Sequence, residues 1–348
     1  MTASTETIDT LAMSDVAFLP DLATAPPIPG LSVRFFRDAT DFEGLAEIIA
    51  AANTVDAVPY FPTARGLEIE QASADGTDPT RDVVFVEVDG RIVAQAKVER
   101  TVREEIPTYQ VHGVVHPDHR RRGLATWLQR WTIERARTRA SREDPTGTVR
   151  LASWSEDIET GHRILMANAG FSPVRHFFLM RRQGLDDIPD APLPHGIEVR
   201  PVLEEHWRTI LAAENEAFRD HWGHREMSES DFKRTFDRAE LDTSLWIVAW
   251  DGDQVAGVVQ NWVWPEENER LGVKRGWLEH ISVRRPWRRR GLARAITAAS
   301  LVKYRDVGLD EAMLGVDSEN PNGALGLYEG LGFAVYSRAA AYRRNLDR

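Results

Sequence analysis

Two stretches of this chain carry the residues best suited to hold an anion. His112 to Ala125 reads HGVVHPDHRRRGLA, and His280 to Ala293 reads HISVRRPWRRRGLA. Each opens with histidine, passes a valine (Val115, Val283) and a proline, and ends in Arg-Arg-Arg-Gly-Leu-Ala at the same spacing. In both, a β-branched run feeds an arginine-rich turn with one glycine, and a long amphipathic pattern follows. That order builds a phosphate site. A helix start leaves N–H groups unpaired and a partial positive charge. Glycine lets the backbone come close to the guest, and pyrophosphate is a usual one. The arginines add charge that reaches a peripheral phosphate. The competing reading of Arg284–Arg290 is a solvated basic loop. The turn lacks the Gly-Lys-Ser/Thr of a P-loop and the further glycines of a dinucleotide fingerprint. Recurrence about one domain length later marks two copies of one fold rather than a solenoid.

The turn resembles the Arg/Gln-x-x-Gly-x-Gly/Ala motif of the GNAT superfamily of acyl-CoA-dependent acyltransferases. Arg288-Arg289-Arg290-Gly291-Leu292-Ala293 matches it, as does Arg120-Arg121-Arg122-Gly123-Leu124-Ala125. The resemblance implies that backbone amides from Arg289 to Arg294 hold the CoA pyrophosphate. It also implies that the strand Ile281-Ser282-Val283 runs beside the pantetheine, with main-chain groups of Ile281 and Val283 pairing to it like an added strand. Val115, Arg120, Gly123 and Ala125 fill the corresponding places in the first copy. Asn320 to Phe333 (NPNGALGLYEGLGF) is similar to the late segment of the superfamily. There a tyrosine hydroxyl faces the CoA sulfur and an asparagine lies near the pantetheine. One extra residue leaves both Asn320 and Asn322 open for the asparagine's place.

Acyl transfer to an amine poses two proton problems. An alkylammonium with a pKa of roughly 10.4 is not a nucleophile at neutral pH, and the departing thiolate gains from a proton. Glu279, just before the cradle, is the candidate base. The resemblance supports it, since many GNAT enzymes carry Glu or His on this strand. Strand alternation puts Glu279 on one face with Ile281 and Val283, and His280 and Ser282 on the other. His280 is the competing base, although His112 at the matching position points to a shared structural role. Tyr328 is the candidate acid. Counting back alike from Phe171 and Phe333 puts Met166 opposite Tyr328, and Val111 takes the place of Glu279. The first copy therefore keeps the cradle and lacks both proton-transfer groups. In the segment from Glu214 to Phe236, His221, Trp222 and His224 are candidate acceptor contacts, and Glu216, Asp220 and Glu226 could attract a cationic amine. The histidine spacing lacks a third clear metal ligand, so no metal is expected.

The elements that must position these groups recur in order. The first half shows strand Leu31–Arg37, helices at Asp41–Ala52 and Arg65–Ala74, and a hairpin through Asp89-Gly90. Strand Tyr109–Val115, helix Arg122–Ala140, strand Val149–Trp154, helix Ile158–Ala169 and a closing strand Phe171–Arg181 follow. The second half repeats this from Ile197, with a hairpin through Asp251-Gly252 and a closing strand Phe333–Arg343. The expected fold is α+β: two tandem GNAT domains (31–183, degenerate, and 197–348, catalytic), each a mixed, mostly antiparallel sheet flanked by helices. The polar, proline-bearing residues 1–30 read as a flexible or loosely docked arm, and 184–196 as a linker.

Composition sets the bounds. The 348 residues include no cysteine, which excludes disulfides, thiolate metal sites and a catalytic Cys. A net charge of −11 argues against nucleic acid as partner. No apolar run is long enough to span a bilayer, and no export signal is visible, so the expected setting is cytoplasmic, as a monomer or homodimer. The expected activity is acetyl transfer from acetyl-CoA, as co-substrate, to a primary amine of a small molecule or peptide. The alternatives are a non-catalytic CoA-binding or interaction protein and an enzyme for a longer acyl-CoA.

Overall fold

The computed structural model describes residues 17–72, 76–320 and 323–347. The first half contains β1 (Leu31–Phe35), α1 (Asp41–Asp56), α2 (Ala64–Ala72), α3 (Pro79–Asp82), β2 (Val83–Val88), β3 (Arg91–Arg103), β4 (Ile106–Val115), α4 (Leu124–Glu143), β5 (Arg150–Glu156), α5 (Thr160–Asn168) and β6 (Ser172–Gln183). The second contains β7 (Ile197–Arg200), α6 (Trp207–Phe218), α7 (Glu229–Phe236), β8 (Ile247–Asp251), β9 (Gln254–Trp262), α8 (Pro265–Leu271), β10 (Arg275–Val283), α9 (Leu292–Asp306), β11 (Glu311–Asp317), α10 (Ala324–Glu329) and β12 (Ala334–Asn345). Both glycine hairpins form. Helix α8 is an addition: β9 stops at Trp262, and Pro265 enters at the first helical turn, where its missing N–H has no cost.

All twelve strands form one sheet, in the order β1-β2-β3-β4-β5-β12-β6-β11-β10-β9-β8-β7. Among the described residues only β4·β5 and β10·β11 pair in parallel; the other pairs are antiparallel. The halves exchange their closing strands. β12 pairs with β5 of the first half, β6 pairs with β11 of the second, and the two run antiparallel to each other. Packing follows pairing: Ala340 and Tyr342 of β12 are buried in the first half's core, and Met180 of β6 in the second's. In a duplicated fold the closing strands fit each other's slots almost equally well. Exchange adds the β6·β12 ladder and leaves neither strand as an open edge.

Residues 17–30 lie along α4. Trp131 and Trp127 donate their indole N–H groups to the carbonyls of Phe18 (2.8 Å) and Asp21 (3.1 Å). Residues 1–16 lie outside the described residues. Along 184–196, Leu185 is buried in the second half's core, and Ile188 and Ala191 pack against it. Among the described residues no helix is long and apolar enough to cross a membrane.

A buried ion triad fixes the start of β10. Arg275 Nε donates to Glu311 at 2.6 Å and its Nη1 to Glu267 at 3.1 Å, while Trp277 donates to Glu267 at 2.9 Å. All three charged side chains are buried. Arg275→Met leaves two buried carboxylates without their cation, and we expect it to cost about 3–5 kcal/mol. A urea midpoint that falls with an unchanged slope is the check.

Candidate active site

The second cradle has the form of an anion nest. Arg289 (φ 61°) and Gly291 (φ 84°) both take left-handed backbone conformations, and Arg121 (62°) and Gly123 (90°) repeat this in the first copy. Alternating conformations of this kind turn successive N–H groups inward. Gly291 caps α9 without a side-chain hydrogen bond, so the first-turn amides keep their capacity for a guest. A side chain at Gly291 would meet no atom within 4 Å, whereas at Gly123 it would touch Pro26 at 3.4 Å.

The arginines divide by task. Arg288 Nε donates to the Val283 carbonyl at 2.9 Å, and its other nitrogens bind Asp220 and the Ala217 carbonyl. Arg120 does the same with the Val115 carbonyl and Asp56. The motif's first arginine thus ties the turn to the strand end in both copies. Arg284 is held by Glu216, and Arg285 by Asp220. The bonds from Arg285 and Arg288 hold the Asp220 carboxyl far below the usual carboxylate range. Arg289 and Arg294 line the cleft and have no ion-pair partner among the described residues. Among the described residues Arg290 reaches only the His195 carbonyl, at 3.5 Å.

A cleft of about 730 Å³ runs from this cradle along β10. Ile281, Ser282, Val283, Leu292, Ala293, Asn320, Tyr328 and Glu279 all line it. The register between β9 and β10 shifts between Leu278 and Ile281, whereas β3 and β4 pair without interruption. Glu279 and His280 sit in that shift, so strict alternation fails and Ser282 shares the cleft with its neighbours. Glu279 faces the cavity, and the surrounding protein shields it from bulk water, which raises its pKa; His280 and Arg238 oppose the rise. No hydrogen bond or ion pair occupies its carboxylate among the described residues.

His280 lies 3.6 Å from Glu214 and 5.6 Å from the Phe218 ring centre. Burial alone would lower its pKa, but Glu214, with Glu279, raises it overall. His112 goes the other way, to about 4, through desolvation by the surrounding protein and the charge of Lys97. The two repeated histidines occupy unlike environments. Tyr328 is buried, and burial lifts its pKa well above the ordinary phenol range. Among the described residues its hydroxyl has no hydrogen-bond partner. Its counterpart Met166 is buried core, with the Gln129 amide 3.8 Å from its sulfur. Val111 is buried too, and its carbonyl accepts from Ser153 at 3.1 Å. Ala125 heads α4 as Ala293 heads α9. Asn322 lies outside the described residues.

Of the acceptor candidates, His221 lines the cleft. Trp222 is clamped by Arg343, Arg175 and Phe177. His224 lines neither this cleft nor the cavity beside it. Glu216, Asp220 and Glu226 each face an arginine, and none of them lines the cleft or the cavity beside it. The adjoining cavity, about 300 Å³, opens between the halves. Its walls include Tyr60, Phe61, Trp264, Trp277, Arg238 and several glutamates. Nothing in the sequence marked it, because half of it comes from the copy that lacks the proton-transfer groups.

A profile of the Acetyltransferase (GNAT) family matches residues 46–143 and 207–333, more than half of the chain. The chain belongs to the GNAT family. The mycothiol acetyltransferase of Salinispora arenicola is 29% identical over 324 residues, covering 90% of this chain and 98% of that one. The corresponding protein of Kocuria rhizophila is 27% identical, covering 83% and 97%. Among solved structures, a GCN5-related N-acetyltransferase from Sphaerobacter thermophilus is 27% identical, with a TM-score of 0.67 over 92% of this chain and 98% of that one. A tandem GNAT protein from the clavulanic acid biosynthesis pathway shares the fold at 16% identity, with a TM-score of 0.65 over 91% and 99%. The chain is a tandem acetyltransferase of the GNAT family, whose members generally use acetyl-CoA. The open nest at Gly291 and the long cleft fit that co-substrate.

Proposed function

We propose that this enzyme moves the acetyl group of acetyl-CoA to the primary amine of a small molecule, in the cleft of residues 197–348, with 31–183 as the supporting half. Glu279 takes a proton from the acceptor ammonium, directly or through one water. Tyr328 gives its phenolic proton to the sulfur of the leaving thiolate. The backbone from Arg289 to Arg294 holds the pyrophosphate, and Ile281 and Val283 offer main-chain groups to the pantetheine. The observation that carries this reading is the pairing of an unengaged carboxylate and an unengaged hydroxyl on one cleft with the cradle. Their pKa directions suit the roles: a raised carboxyl is a stronger base, and a raised phenol stays protonated. The acceptor we favour is that of the mycothiol acetyltransferases, on the strength of the named relatives.

The reading is tested by following CoA release across a panel of amines. Tyr328→Phe is expected to lower kcat by about 10- to 100-fold while the KM for acetyl-CoA stays within about threefold, because the hydroxyl acts on the departing sulfur and not in binding. Full kcat in the variant removes Tyr328 from the mechanism.

A further inference from the structure

The cleft and the smaller cavity meet, and three residues line both: Glu156, Leu179 and Glu279. Glu279 is the base proposed above, so the meeting point is where an amine entering from the smaller cavity reaches the thioester. Glu156 belongs to the other half. It ends β5, and the joining of the two halves in one sheet carries it there. In the order β5-β12-β6-β11, only β12 and β6 separate the first half's β5 from the second half's β11. Ala339 of β12, opposite Glu156 in the ladder, itself lines the cleft.

The Glu156 carboxylate is weakly engaged. Trp154 donates to it at 3.3 Å and Ser337 at 3.4 Å, both long for hydrogen bonds. Among the described residues it has no cationic partner. Of the other carboxylates on the smaller cavity, Glu70 faces Arg238, Glu267 faces Arg275 and Trp277, and Glu240 and Glu266 do not reach the cleft. A partly desolvated carboxylate with capacity left over is stabilised by a cation that brings N–H donors. The ammonium of an amine acceptor is such a cation.

We infer that Glu156 is an acceptor-binding residue, which holds the ammonium of a primary amine lying in the cavity between the halves and aims its nitrogen at the cleft. The inference rests on the proposed amine acceptor. It makes the first half part of the active site without requiring it to bind CoA. Two carboxylates then share one ammonium. Glu279 takes its proton, and Glu156 keeps a hydrogen bond to a remaining N–H as the nitrogen attacks. The aromatic walls at Tyr60, Phe61, Trp264 and Trp277 suit an acceptor with an apolar or ring-bearing body.

The probe is phenethylammonium, titrated into the full chain with tryptophan fluorescence as readout, with 2-phenylethanol as the uncharged comparison. Saturable binding of the cation is expected, weakened at least about tenfold in Glu156→Gln and largely kept in Glu156→Asp, with the alcohol indifferent to both changes. Calorimetry should show unchanged acetyl-CoA binding in both variants, which separates loss of the contact from loss of the fold. Equal affinity of wild type and Glu156→Gln for the cation overturns the assignment, as does the absence of saturable, charge-selective binding to the wild type. Retained turnover in Glu279→Gln instead removes the proposed base and leaves the Glu156 titration to be judged by itself.

Discussion

Glu279→Gln is expected to lower kcat/KM by about 100- to 10,000-fold at neutral pH, the range general base catalysis supplies. Glutamine keeps the shape and loses only the capacity to accept a proton. The pH profile carries the sharper information. A general base works when deprotonated. Glu279 opens on the cleft, where desolvation by the surrounding protein raises its carboxyl, so the wild-type acid limb is expected above the ordinary carboxylate range. On acidification the enzyme loses activity earlier than a solvent-exposed glutamate would dictate. In Glu279→Gln that limb disappears and a low, flatter rate remains. The neighbouring imidazole is the natural rival. Glu214 raises the His280 pKa and keeps the ring cationic to higher pH than usual, the wrong direction for a base. If the acid limb survives in Glu279→Gln and vanishes in His280→Asn, the roles must be reversed.

Much of the fold was legible because the signals were local. Asp89-Gly90 and Asp251-Gly252 are short-range turn instructions, and the Arg-Arg-Arg-Gly segments announce a strand, a nest and a helix within a few residues. The placing of Glu279 and Tyr328 on one cleft followed from the strand and helix that carry them. The strand exchange was not legible. Ser172–Gln183 and Ala334–Asn345 are both long strands after a short helix, and either fits antiparallel beside β5 or β11. Period and composition do not say which partner wins; only the whole sheet does. Glu156 was missed for a related reason, since its place in the site depends on how the sheets of the two halves join. Glu216 and Asp220 were misjudged in the other direction. Their charge was plain, but the arginines that consume it come from a loop more than 60 residues later. Trp222 was a candidate through its place in the segment from Glu214 to Phe236. Two arginines of the exchanged strands, Arg175 and Arg343, already stack on it.

The two cradles offer a matched comparison, because their glycines share a conformation and differ in what lies above them. Gly291→Asp and Gly123→Asp each force a side chain into left-handed backbone, a cost of about 1–3 kcal/mol that both variants bear. The rest of the effect is expected to differ. At Gly291 the new carboxylate stands where the nest would meet a pyrophosphate. Two unit charges about 4 Å apart near a protein surface repel by about 4 kcal/mol, and solvent and salt trim this, so acetyl-CoA affinity should fall by about 100-fold. At Gly123 the new side chain meets Pro26 of the segment laid along α4. Val111 and Met166 there are buried in the core and line neither the cleft nor the cavity beside it. Gly123→Asp should therefore lower the melting temperature while kcat and the acetyl-CoA affinity stay near wild type, and calorimetry should count about one acetyl-CoA per chain in it and in the wild type. A second bound acetyl-CoA in the wild type, lost in Gly123→Asp, would show instead that the first cradle kept its guest when it lost its chemistry. Two cradles of nearly the same backbone would then differ only in whether a proton can be moved beside them.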